Sequence, residues 1–139
     1  MDPLKIDLEI VTPGHLVASE TVDEVVLPGT EGYLGVLPGH APLLTGLAAG
    51  EISYRSGGRA RYLAVSGGFA EVLRHRVSVL AETCERAEEI DVARANDARD
   101  RAKSEIGRAD GAEADLRNAA SRLERAEVRI AVAKHASAG

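Results

Sequence analysis

The chain has no tryptophan, one cysteine, one methionine and only four aromatic residues among its 139. The single Cys84 excludes an internal disulfide and fits a reducing compartment. Basic residues are in deficit: 17 Lys and Arg against 22 Asp and Glu leave a formal charge of −5. That balance argues against a nucleic-acid partner and against retention on anionic lipid by basic residues alone. No apolar run approaches the ~18 residues of a spanning helix, so no direct membrane insertion is expected. The acidic, alternating stretch from Met1 to Gly14 does not fit a secretory leader, and an unprocessed chain is expected.

What is present is unevenly spread. All five prolines and all four aromatics (Tyr33, Tyr54, Tyr62 and Phe69) precede residue 70. Charged residues number 16 in the first 84 positions and 23 in the last 55, so a β-rich part is followed by helices. The organisation expected is α+β: an N-terminal antiparallel β-sandwich over residues 1–86, then a C-terminal antiparallel two-helix hairpin over 87–139. Leu4, Ile6, Leu8 and Ile10 alternate with polar residues and stop at Pro13-Gly14. Short strands are expected at Leu16–Ser19 and Val22–Leu27. Glu51–Arg55 and Arg59–Val65 flank Ser56-Gly57-Gly58, a hairpin signal. Phe69–Leu73 and Arg76–Ala81 form another. Turn signals every eight to twelve residues favour a sandwich over a parallel sheet.

Behind Cys84 the period becomes helical. Asp91 can cap a helix running to about Ile106, with Val92, Ala95, Ala102, Ile106 and Ala109 on its seam and Arg99 interrupting it. Gly107 and Gly111 bracket Arg108-Ala109-Asp110 as the turn. A second helix, from about Ala112 to Ala136, places Leu116, Ala119, Leu123, Ala126, Ile130 and Ala133 on strict a and d positions. Alanine buries little area, so such a hairpin is held by only a few kcal/mol at roughly 0.8 kcal/mol per buried CH₂. Opened end to end, the helices would reach on the order of 60 Å. A weakly held pair with that reach is a candidate two-state element.

Several catalytic readings of the residues are weak. Leu27–Ile52 is rich in glycine turns (Gly29, Gly32, Gly35, Gly39), yet no Gly-Lys-Ser/Thr follows and no helix opens there, as a phosphate loop requires. His40 beside these turns could suggest a cupin-like metal site, but His15, His75 and His135 lack ligand spacing. The blander expectation is a ring bonded within its own loop. Glu82, Glu85, Glu88 and Glu89 read as a solvated junction rather than paired acid–base carboxylates. No catalytic residue and no metal ligand is assigned.

The string Leu34-Gly-Val-Leu-Pro-Gly-His-Ala-Pro-Leu-Leu-Thr45 resembles the signature of the ε subunit of F-type ATP synthases. So do Gly50-Glu51-Ile52, Val65 to Val72, Val77 to Ala81, and Ile90-Asp91-Val92-Ala93-Arg94-Ala95, in the same order and spacing over essentially the whole chain. The resemblance implies a non-catalytic rotor subunit that couples rotation of the c-ring through γ to ATP synthesis. It implies a peripheral place on the cytoplasmic face of the bacterial membrane. The sandwich would bind γ and the c-ring, with Glu31, Gly32, Tyr33 and Leu34 toward the c-ring and His40, Ala41 and Pro42 near γ. Some relatives carry an acid at the position of Tyr33. The hairpin would extend toward the catalytic α/β hexamer to inhibit hydrolysis. No cofactor is required, although ATP is a regulatory ligand in several members; the matching positions are Glu85, Ile90, Asp91, Arg94, Ala95, Arg101, Arg125 and Arg129.

The residues add one observation of their own. Arg94 has Asp91 and Asp97 at helical spacing, and Arg101 has Asp97 and Glu105, as ordinary surface pairs do. Arg122, Arg125 and Arg129 have no acid three or four residues away. A row of like charge on one helix calls for an anion, either a nucleotide phosphate or an acidic protein surface.

Overall fold

The computed structural model describes residues 4–108 and 112–138. The chain divides into two compact units, Met1–Arg86 and Ala87–Gly139.

The first unit has eight strands: β1 (Ile6–Thr12), β2 (His15–Val22), β3 (Glu24–Gly29), β4 (Gly32–Val36), β5 (Leu43–Gly46), β6 (Gly50–Ser56), β7 (Arg59–Leu73) and β8 (Arg76–Arg86). They pair in the order β2-β1-β8-β7-β6-β3-β4, with β5 added to β7. Every pairing is antiparallel except β1 with β8. The path folds over so that β2 packs across from β6, making a sandwich. Its core is aliphatic: Ile6, Leu8, Ile10, Val25, Leu27, Ile52, Leu63, Val72, Val77 and Val79 are all at most 1% exposed.

β7 is where the layers join. Its first half pairs with β6 and its second with β5, while β8 runs beside both halves. The expected pair of strands, Arg59–Val65 and Phe69–Leu73, is therefore one strand, kinked at Gly67 (φ 72°) and Gly68 (φ 107°). A side-chain carbon on Gly68 would lie 2.0 Å from the Leu80 carbonyl oxygen and 2.8 Å from Ala81 Cα. The kink also inverts the alternation: odd-numbered Leu63 and Val65 face the core before it, even-numbered Ala70 and Val72 after it.

Two further features differ from the sequence reading. The glycine-rich stretch after Leu27 is not a run of turns only, because Tyr33-Leu34 and Leu43-Leu44 supply enough β-forming residues for β4 and β5. β8 continues past Ala81 to Arg86, its polar Thr83 and Glu85 held by pairing with β7. At Ser56-Gly57-Gly58-Arg59 the hairpin closes as expected, with positive φ at both glycines and Ser56 opposite Arg59.

Polar bonds tie down the ends. Asp23 bonds Lys5 and accepts from the Gly57 amide (3.0 Å), joining the start of β1 to the β6–β7 turn. Lys5 and then that amide hold the Asp23 carboxyl below its usual range. Buried Tyr54 donates its hydroxyl to Glu20, while Arg86 donates to that hydroxyl (3.5 Å) and to the Val17 carbonyl (2.7 Å). Burial first, and Glu20 second, raise the Tyr54 phenol above its ordinary value.

The second unit opens with a 3₁₀ turn (Ala87–Glu89), followed by α1 (Val92–Arg108) and α2 (Glu113–Ala138). Asp91 caps α1, accepting the Arg94 amide at 3.0 Å. The expected turn residues Ala109, Asp110 and Gly111 lie outside the described residues, as does the seam position Ala109. Ala95 and Ala102 of α1 and Ala119, Ala126, Val132 and Ala133 of α2 are buried. Leu116, Leu123 and Ile130 are only half-buried, because the d-position alanines let the helices close while the larger a-position side chains sit at the margin. Val92, placed on the seam by spacing, is 44% exposed.

Gly68→Ala should cost about 3 kcal/mol or more, since it adds a backbone collision to a left-handed strain. Gly35→Ala, with nothing within 4 Å of the added carbon, should leave the urea midpoint unchanged. Equal midpoints for the two variants would remove the kink from its structural role.

Candidate functional site

The β3–β4 hairpin ends in a tight tip, Gly29-Thr30-Glu31-Gly32, with Gly29 paired to Gly32. Thr30 donates its amide to the Gly46 carbonyl (2.9 Å), and Gly29 bridges Leu47, so the tip is fastened against β5. Between them lies a cleft of about 400 Å³, lined on one side by Thr30, Glu31, Tyr33 and Leu34 and on the other by Leu43, Leu44 and Thr45. Tyr33 accepts the Glu51 amide at its hydroxyl (3.0 Å), which fixes a ring that stays 64% exposed. Of the four tip residues singled out by sequence, Glu31, Gly32 and Tyr33 are exposed. Leu34 instead is half-buried and packs on the core, because its position in β4 points inward.

The His40 turn lies at the other end of this segment. His40 donates its amide to the Leu37 carbonyl (3.1 Å), and its ring Nδ1 lies 2.7 Å from the Ala41 carbonyl. The ring therefore bonds within its own loop. Gly39 donates to Arg74 (2.6 Å), fastening the loop to the β7–β8 turn, and Ala41 and Pro42 are exposed. Among the described residues no group of His, Cys, Asp or Glu is arranged to hold a metal ion.

The sequence reading missed the outer face beside this turn. Phe69 lies opposite Leu80, Leu80 opposite Val11, and Val11 opposite Leu16, so four strands carry one apolar row. Leu44 extends it on β5, where Gly46 faces Phe69. Leu44, Phe69, Leu80 and Leu16 are 69%, 60%, 59% and 63% exposed. Such a contiguous outward row exceeds the scattered apolar residues normal on a monomer. The available signal was Ala70 and Val72: once they are in the core, Phe69 must point out. Leu44 belongs both to this row and to the cleft, so the two surfaces are continuous.

The nucleotide candidates fall in both units and are described for each alone. Glu85 is a half-buried residue of β8. In the helical unit Ile90 is buried before α1, Asp91 is the cap, and Ala95 is wholly buried in the seam. Arg94 and Arg101 each precede a seam alanine of α1 by one residue. On α2, Arg122, Arg125 and Arg129 occupy one flank of the seam. These flanks lie on the same side of the hairpin, because Glu105, from the flank of Arg94 and Arg101, binds Arg122 with bonds of 3.2 and 2.5 Å. This corrects the expectation for Arg122: the neighbouring helix supplies its anion, which periodicity along one helix cannot reveal. It also takes Glu105, expected beside Arg101, across to α2. Arg122 holds the Glu105 carboxyl below its usual range and is itself raised by it.

Two family descriptions match consecutive parts of the chain: the ATP synthase delta/epsilon chain β-sandwich domain over residues 5–87, and its long α-helix domain over 88–134. The ATP synthase epsilon chain of Koribacter versatilis is 54% identical over 100 residues, covering 72% of this chain and 70% of that one. ATP synthase epsilon chain 2 of Syntrophotalea carbinolica is 48% identical over 135 residues, 97% of this chain and 98% of its own. A chain in the cryo-EM structure of the Euglena gracilis mitochondrial ATP synthase (OSCP, F1 and c-ring) aligns with a TM-score of 0.81 and 26% identity, over 99% of this chain and 83% of that one.

Since the outer row contributes little to the sandwich's own core, Leu44→Asp and Phe69→Asp should each change unfolding free energy by no more than about 0.5 kcal/mol. Leu63→Ala, in the core, should cost about 2–5 kcal/mol. Urea unfolding separates the two classes, and a large loss from Phe69→Asp would make that row part of the core.

Proposed function

Because the chain belongs to the ATP synthase delta/epsilon chain family, we propose that it is the non-catalytic ε subunit of the central stalk, coupling c-ring rotation through γ to ATP synthesis. The observation that carries this reading is the exposed apolar row from Leu16 to Phe69, continuous through Leu44 with the cleft at the β3–β4 tip. A sandwich with a complete core does not need that surface for itself. The row, with the His40–Pro42 turn beside it, is the docking face for γ. The tip, with Glu31, Gly32 and Tyr33 exposed and Leu34 behind them, faces the loops of the c-ring. Tyr33 suits an anchor there, being large, exposed and held by its hydroxyl.

The helical unit is the regulatory part. Its alanine seam is weak enough for α1 and α2 to part and extend toward the α/β hexamer, where they inhibit hydrolysis. In the closed form, the arginine side of the hairpin (Arg94, Arg101, Arg125 and Arg129), with Ile90, Asp91 and Ala95 of the same unit, takes ATP. A ligand of the closed form alone shifts the balance away from inhibition by its differential affinity. The subunit sits peripherally on the cytoplasmic face of a bacterial membrane. No described helix is long and apolar enough to cross one.

Truncation after Glu89 should leave γ binding intact and reduce inhibition of hydrolysis; loss of γ binding would overturn the division of roles. Phe69→Asp in the full chain should weaken γ binding by about thirtyfold or more, the scale of an interface hot spot. Calorimetry should register ATP binding at or below about a millimolar, weakened about tenfold by Arg125→Ala. A flat titration in that range would remove the nucleotide and leave the stalk role standing.

A further inference from the structure

The seam of the hairpin is uneven along its length. Ala102 on α1 and Ala119 on α2 are the last fully buried side chains toward the connection, among the described residues. Beyond them Ile106 and Leu116 are only half-buried. Glu105 lies in this poorly packed stretch, and Arg122, one turn inside Ala119, reaches across to grip it, each guanidinium nitrogen on a different carboxylate oxygen, at 3.2 and 2.5 Å. Exposed ion pairs contribute little as a rule, and the two-point Arg–carboxylate fork is the usual exception.

Glu105 is also misplaced by local rules. It lies in the last turn of α1, where the helix dipole presents its negative end and disfavours a carboxylate. Arg108, one turn on, adds a favourable charge and donates to Ser104 (3.3 Å). The partners are 17 residues apart. Were the helices laid end to end, they would be separated by about 25 Å at 1.5 Å per residue. The bond therefore belongs to the closed hairpin alone, and all of its free energy counts as a difference between the two states.

We propose that the Glu105–Arg122 fork is the clasp of the hairpin, holding the end that the alanine seam leaves loose and so setting the balance between closed and open helices. The inference rests on reading the helical unit as a two-state element. It makes Glu105 and Arg122 positioning residues, acting on the helices rather than on any ligand.

Native-state hydrogen exchange on the full chain tests it, comparing the parent, Glu105→Gln, Arg122→Gln and the double swap Glu105→Arg with Arg122→Glu. Glutamine keeps the helix propensity of both residues and the size of the glutamate. By the dipole alone, Glu105→Gln would slow exchange in α1; the clasp requires the opposite. Amides of the distal turns, from Ala102 to Arg108 and from Arg117 to Arg125, should exchange about threefold faster or more in either single variant. Sandwich amides should be unchanged, and the double swap should return the distal amides to within twofold of the parent. Unchanged or slower distal exchange in Glu105→Gln, or no recovery in the swap, would overturn the clasp. Hydrolysis by the assembled ATPase carrying Glu105→Gln is a separate readout. If the distal amides respond while inhibition stays at the parent level, the clasp stands and the inhibitory role of opening fails.

Discussion

Everything in the sandwich turns on the crossing of β7 between layers at Gly67-Gly68. The strand keeps β8 beside it while exchanging β6 for β5, and it can do so only by bending where a methyl group would strike the backbone of β8. The bend also inverts which residues face the core. Without it, the alternation of Leu63 and Val65 would carry Phe69 inward. With it, Ala70 and Val72 fill the core and Phe69 joins the outer row. The fold and its exposed apolar row thus follow from two adjacent residues without side chains.

The two units are built to different strengths. Leucine, isoleucine and valine fill the sandwich, and each contributes roughly 1.5–3 kcal/mol when fully buried. The hairpin buries alanines and Val132, with its leucines left at the margin. In such a structure an exposed charge pair, negligible beside a thick core, is comparable to the packing it supplements. The same weakness that makes the helices candidates for movement gives Glu105 and Arg122 their leverage.

Much of this was legible from residue order. The Gly57-Gly58 hairpin, the Asp91 cap and the helices are local features governed by neighbours in sequence. The stretch from Leu27 to Ile52 was less so: its glycines obscured β4 and β5, whose pairing depends on β3 and β7 arriving from elsewhere. Polar Thr83 to Arg86 likewise looked like a junction because their hold comes from β7. Tyr33 was recognisable as an exposed aromatic and His40 as a ring bonded in its own loop, whereas the row from Leu16 to Phe69 required knowing the kink. The partner of Arg122 was invisible for the same reason, since it lies on another helix.

Arg86 gives the junction between the units a mechanical character. Beyond Leu80, β8 no longer has β1 beside it and pairs with β7 alone. A strand end held on one side can be unzipped, one bond at a time, by a pull on the chain beyond it. Arg86 prevents that sequence by reaching the Val17 carbonyl on β2 and the Tyr54 hydroxyl on β6. Tension arriving from the helices is spread over three strands in both layers at once. The sandwich then resists as a block in shear rather than peeling strand by strand.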